Sequence, residues 1–180
     1  MFERFTRPAR EAVIGARRHA VEQGETEIRP VHVLAGLLRT PPGRAGELLA
    51  GFGVPAEELA TDLARMRRRG GVSDADTAAL AELGIDVERI VENVERVHGE
   101  NALAGESRRS RRSHVPFSGE ASRLLERALR EALDIGDRHI GDEHLLLALL
   151  AVPGAAADLL AKHRLDYVTV RTALARRQAG

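Results

Sequence analysis

The chain of 180 residues has no cysteine and no tryptophan, one tyrosine, four phenylalanines and a single lysine. Each scarcity excludes something. Without cysteine there is no disulfide, no thiolate catalysis and no cysteine-ligated metal. Phe2, Phe5, Phe52, Phe117 and Tyr167 are the only such rings, too few for the stacking platforms of single-strand nucleic-acid binders. All basic residues but Lys162 are arginine, and Lys162 sits in LLAKHRL with no glycine-rich loop before it. A GxxxxGK[ST] phosphate loop is therefore absent, and no P-loop ATPase cycle is expected of this chain. No apolar run approaches the ~20 residues that span a bilayer, so no membrane is expected among its partners. The opening MFERFTRPAREAV carries charges where a signal peptide needs its apolar stretch, which together with the missing cysteine points to a cytoplasmic location. Twenty-seven basic residues cancel twenty-seven acidic ones, so no global field draws the protein to nucleic acid, and nucleic acid is not expected as a partner.

What is present is a 43% hydrophobic, 30% charged chain, long enough for one well-buried domain or two small ones. It is internally duplicated. With an offset of 112, Phe5, Ala9, Ala16, Ala20, Gly24, Ile28, His32, Leu34, Leu37 and Leu38 meet identical residues from Phe117 to Leu150; one residue is then dropped, and Leu48-Leu49 meet Leu159-Leu160. Each copy reads as four helices. In the second, Ser118 is the expected N-cap and Ala121, Leu124, Leu125, Ala128, Leu129, Ala132 and Leu133 follow at the 3–4 spacing of an amphipathic helix that Gly136 ends. The first copy repeats this from Thr6 to Gly24. Short apolar helices follow at Pro30 to Arg39 and Asp142 to Ala151, then helices through the paired leucines, then last helices starting at Pro55 and Asp166. Nothing alternates at period two for long enough to make a sheet.

Between the copies, Ala78 to Val94 lines up with Glu47 to Leu63 at an offset of 31, matching Ala81 to Ala50, Gly84 to Gly53 and Glu88 to Glu57. The insert reads as a partial third half-repeat, with helices at Asp74 to Leu83 and Asp86 to His98 packing apolar faces on the repeat pair. The rest, from His98 to Val115, reads as a polar, arginine-rich mobile loop. Its RRSRR, Arg108 to Arg112, offers guanidinium forks to phosphates, but with neutral net charge and no DNA-reading motif it reads as a solvated linker. The expected division is 1–69 for the first repeat, 70–114 for the insert and 115–180 for the second repeat, together forming one compact domain.

MFERFT, the duplicated I-x-x-x-H-x-L-x-x-L-L, HVPFS and IGDEHLLLALL resemble the N-terminal substrate-receptor domain of the Clp AAA+ unfoldases, the double Clp repeat. The resemblance covers both copies and implies an all-α, pseudo-twofold domain of duplicated four-helix repeats. It implies substrate or adaptor polypeptides as partners, with a Clp AAA+ ATPase among them, and a role in regulating Clp-dependent proteolysis. It implies no catalytic residue and no cofactor. The competing readings are a small-ligand or peptide-sequestering decoy and, more distantly, a hydrolase using His and Glu.

Candidate site residues are few. His32 and His144 match across the repeat, but Val31 beside His32 offers no metal ligand, and neither HExxH nor HxxEH is present, so no metal is expected and both histidines read as helix-start residues. Phe2 and Phe117 precede the first helices of their copies, near the surface where family members take up peptide-like ligands. In some members a glutamate in the Gly-Thr-Glu-His motif pairs with the guanidinium of phosphoarginine. Here Glu143 matches that glutamate and Asp142 replaces the threonine, while Val31 stands at the equivalent position of the first copy. The resemblance thus implies at most one phosphoarginine pocket, with Asp142 adding a second negative charge to it.

Overall fold

The computed structural model describes residues 2–39, 41, 43–104 and 115–178. Among them are ten α-helices and no strand: α1 (Arg7–Glu22), α2 (Pro30–Arg39), α3 (Arg44–Gly51), α4 (Ala56–Arg68), α5 (Asp74–Glu82), α6 (Val87–His98), α7 (Gly119–Ile135), α8 (Asp142–Ala151), α9 (Ala155–Lys162) and α10 (Tyr167–Gln178). The helices begin where side chains can satisfy their first free N–H groups. Thr6 Oγ1 accepts from Ala9 N at 3.4 Å, and Ser118 Oγ, its repeat mate, accepts from Ala121 N at 3.1 Å. Gly136 ends α7 in the left-handed conformation that a residue with a side chain resists.

The two repeats are stitched together by reciprocal backbone bridges. Ile140 N donates to Arg4 O (2.7 Å) and Thr6 N to Ile140 O (2.9 Å); at the related place Ile28 N donates to Pro116 O (2.8 Å) and Ser118 N to Ile28 O (2.9 Å). Phe5 thus pairs with Ile140 and Phe117 with Ile28, each repeat's first-helix lead-in lying against the residue that precedes the other repeat's short apolar helix. Leu34, Leu48, Leu124, Leu146 and Leu160 of both copies are fully or almost fully buried in one continuous apolar cluster. In the first repeat α1 and α2 approach so closely that a Cβ on Gly36 would stand 2.1 Å from Ala12 O. No helix among the described residues is by itself long and apolar enough to cross a membrane.

The insert forms its two helices, but α5 does not bury an apolar face. No α5 side chain is buried, and Leu83, Ile85, Ile90 and Val97 are exposed. The reason is its pattern: Ala78, Ala79, Leu80 and Ala81 are consecutive and wrap the helix instead of forming a stripe. α6 buries Val87 and Val91, Ala104 is buried in the turn after it, and α5 only half-buries Thr77 and Leu80. Ion pairs do the rest: Asp74 meets Arg69 and Lys162, Glu88 meets Arg69, and Glu95 takes a fork of two hydrogen bonds from Arg68 at 2.9 and 2.6 Å. The arginine-rich Arg108 to Arg112 lies outside the described residues. Leu133, placed by spacing on the buried face of α7, is 57% exposed, whereas Glu131 on the same helix is fully buried.

Candidate functional site

Asp142 and Glu143 open α8 and are both buried, at 6% and 4% exposure, because the start of α3 from the other repeat is pressed against them. Asp142 Oδ2 accepts a hydrogen bond from Ala45 N at 2.9 Å. It is the N-cap that α3 lacks locally, where Gly43 has no side chain to offer. Gly43 is needed in turn: a Cβ there would stand 2.3 Å from Asp142 Oδ2. Glu143 folds back over Gly141, whose missing Cβ leaves room for its carboxylate, and Arg44 Nη1 approaches Glu143 Oε1 at 3.3 Å. Burial, reinforced by the charge of Asp142, pushes the Glu143 carboxyl up to about 7, against the opposing pull of its own backbone N–H and Arg44. The guanidinium facing Glu143 is thus the protein's own.

Both repeat histidines act on the backbone. His144 Nδ1 accepts from Gly141 N (2.8 Å) and His32 Nδ1 from Arg29 N (2.9 Å), each closing the turn that starts its helix. Burial lowers the pKa of both, that of His32 to about 3. Asp137, Glu143 and His144 bring one potential metal-ligand atom each within 4.8 Å of one another. The donor set does not fit an ion. Because Nδ1 accepts from the backbone, the proton of the neutral ring sits on Nε2, the atom 3.2 Å from Asp137 Oδ2, and a protonated nitrogen cannot ligate. That Nε2–H makes no hydrogen bond.

Phe117 is half-buried against the common core. Phe2 lies in a short 3-10 turn, Phe2–Arg4, with its side chain outside the described residues. Neither Phe117 nor Glu143 lines the groove described next.

A groove is found at the repeat mate of the acidic junction. By the duplication Pro30 corresponds to Asp142, Val31 to Glu143, and Gly154, Ala155 and Ala156 at the start of α9 to Gly43, Arg44 and Ala45. These five residues line a groove of about 640 Å³. Its other walls come from α4, through Leu63 and Arg67, and from a 3-10 turn of the insert, Ala102–Ala104. Where one junction is closed by two acids and an arginine, the other is open: the five matched residues are small and apolar, and arginines and histidines line the groove around them. His19 and His32 stack edge to face within it at 5.9 Å. Sequence reasoning missed this groove, although the exchange of Asp142-Glu143 for Pro30-Val31 was its signal.

Both repeats match the family model of the Clp repeat (R) N-terminal domain, over residues 4–77 and 72–163, and the chain belongs to that family. It is 30% identical over 177 residues to an ATP-dependent Clp protease ATP-binding subunit ClpA homolog of Guillardia theta, covering 98% of this chain and 17% of that protein. An uncharacterised protein of Mycobacterium tuberculosis is 32% identical over 149 residues, covering 83% of this chain and 44% of its own length. The chain therefore spans less than half of either relative. Among solved structures, the N-terminal domain of the chaperone ClpD from Arabidopsis thaliana superposes with a TM-score of 0.55 at 22% identity, covering 100% of this chain and 97% of that one. The Hsp104 N-terminal domain from Candida albicans gives 0.59 at 19% identity, covering 94% and 88%. These likenesses establish the fold: an all-α duplicated Clp repeat.

Proposed function

We propose that this chain is a non-enzymatic polypeptide-binding module of the Clp N-terminal type, which takes up substrate or adaptor polypeptides and through them modulates Clp-dependent proteolysis. The observation that carries this reading is the open groove of about 640 Å³ between the repeats, in a chain whose two repeats both belong to the Clp family. Its apolar walls suit side chains of a polypeptide, and its size also suits a small peptide-like ligand, which supports sequestration as the second reading. Phosphoarginine is the weaker ligand. Glu143 is buried beneath Arg44, so a phosphorylated arginine must displace an internal guanidinium and then place its phosphate near Asp142. The test adds the purified chain in excess to a Clp ATPase–protease degrading a fluorescent client. A changed rate, retained in Glu143→Ala, is expected; an unchanged rate at saturating excess overturns the reading.

A further inference from the structure

Three arginines line the groove, and among the described residues one of them, Arg67, has no partner. Arg29 pairs with Glu25 at 2.6 Å and Arg39 with Glu22 at 2.9 Å. Arg67 has no ion pair or hydrogen bond among the described residues; its Nε is shut off from the groove, and the terminal nitrogens of this half-buried side chain are the donors it offers there. A buried, unpartnered guanidinium N–H is costly, because the group gives up water without gaining an acceptor. The neighbouring histidines do not compete for an anion: burial first, and nearby arginines next, lower the pKa of both, so they stand neutral. Glu120 also lines the groove, but it is exposed and its charge is screened by water.

The start of α9 adds a second unmet demand. Gly154 gives α9 no side-chain cap, and the N–H of buried Ala156 meets no acceptor among the described residues. Its repeat mate, Ala45 N–H, is satisfied by the carboxylate of Asp142. The protein therefore contains a worked copy of the missing interaction. At one junction a carboxylate seats on the helix start; at the other the same backbone faces a groove that holds a spare guanidinium and is walled by apolar side chains.

We propose that this groove, in keeping with the polypeptide-binding reading on which the inference rests, holds an acidic side chain of an extended polypeptide segment, with Arg67 and the free N–H groups of α9 as its donors and the flanking aliphatic side chains on the apolar walls. The occupant is a carboxylate rather than a guanidinium: Val31 replaces the acid of the other junction, and of the two glutamates on the groove Glu25 is paired with Arg29 and Glu120 is exposed.

The test uses the full chain and two fluorescein-labelled decapeptides of alanine and leucine with a single central Asp or Asn, followed by anisotropy. The Asp peptide is expected to bind about tenfold more tightly, the order of one charge-assisted hydrogen-bonded pair. Arg67→Gln removes that preference. Pro30→Asp, which writes the second repeat's residue into the first, places a carboxylate inside the groove; it is expected to abolish binding of the Asp peptide while the thermal midpoint holds or rises. Ala64→Trp, on the exposed face of α4 that lines the groove, blocks both peptides. Equal affinity for the two peptides, no binding of either, or a preference that survives both Arg67→Gln and Pro30→Asp overturns the inference. Altered client degradation that persists in Arg67→Gln, with no peptide preference, would leave the receptor reading standing and sink this one alone. Peptide discrimination without any effect on degradation does the reverse.

Discussion

The hydrogen bond from Ala45 N to Asp142 Oδ2 joins two residues 97 positions apart, and it sits in a place where water cannot substitute. Asp142→Ala removes the cap of α3 and strands a buried donor on a residue that is only 2% exposed. A lost cap costs about 1–2 kcal/mol and a stranded buried N–H about 1–3 kcal/mol. The two figures describe one bond and are not summed, so the expected loss is about 2 kcal/mol. For a chain of this size that is a fall of about 4–8 °C in Tm. Asp142→Asn keeps an acceptor oxygen; it gives up the interaction of the charge with the helix start, about 0.5–1 kcal/mol, and relieves the repulsion of Glu143, so its net loss is smaller still. Gly43→Ala offers an independent arm: its Cβ would drive Asp142 off the helix start, so it reproduces most of the Asp142→Ala loss but adds little on top of it. Urea unfolding of the two single variants and the double variant reads all three quantities. Additive losses, or an Asn variant as unstable as the Ala variant, would refute the trans-cap.

Glu143→Gln is expected to grow more stable relative to the parent as pH rises. The folded carboxyl titrates at about 7 and the unfolded one at its ordinary 4.5, so the stability it contributes is intact below 4.5 and lost as pH climbs through 7. The full difference is about 3 kcal/mol; parallel curves for parent and variant between pH 4 and 8 would contradict it. Gly36→Ala is expected to cost at least about 3 kcal/mol or to prevent folding, because its Cβ meets the backbone of α1 rather than a movable side chain; a cooperative melt near the parent's Tm would refute that packing. Glu131→Ala leaves Arg127 and the Tyr167 hydroxyl, both now bonded to a fully buried carboxylate, without their acceptor, and is expected to cost about 3–5 kcal/mol by chemical denaturation. Tyr167→Phe, which removes one donor and leaves the ion pair, is expected to cost well under half as much.

Local signals carried most of the fold. The bounds of α2 and α8 follow from a proline or an acid at the start and a short apolar run, and α5 and α6 begin beside Ser73 and Asp86, whose side chains cap them. The histidine turns were legible because His32 and His144 recur at one offset three residues into the helix-start motif. What stayed hidden depends on partners distant in sequence. Arg44 comes from 99 residues away to cover Glu143, so nothing near IGDEHLLL announces that the acid is already engaged. Glu131 reads as one more surface charge on an arginine-rich helix until Tyr167, 36 residues on, closes over it. The insert's ion pairs with α4 and α9 were equally invisible, since charge at an exposed position says nothing of which opposite charge the fold brings near.

The duplication also explains why the acids were kept once. A repeat pair with twofold symmetry presents two equivalent junctions, each with a helix start, α3 or α9, facing the short helix of the other copy. Closing both with a carboxylate would satisfy both helix starts, and a cap of that kind is worth about 1 kcal/mol. The junction at Asp142 is closed; at Pro30 the cap is missing, and Arg67 has no partner among the described residues. An uncapped helix start beside a guanidinium with no partner among the described residues is a net cost to the isolated fold. Such a cost persists where a ligand repays it, since a group that binds the folded chain alone stabilises it in proportion to its occupancy. The closed junction holds the two repeats together through Asp142 and Ala45, and on the inference drawn above the open one is where a partner's carboxylate would seat.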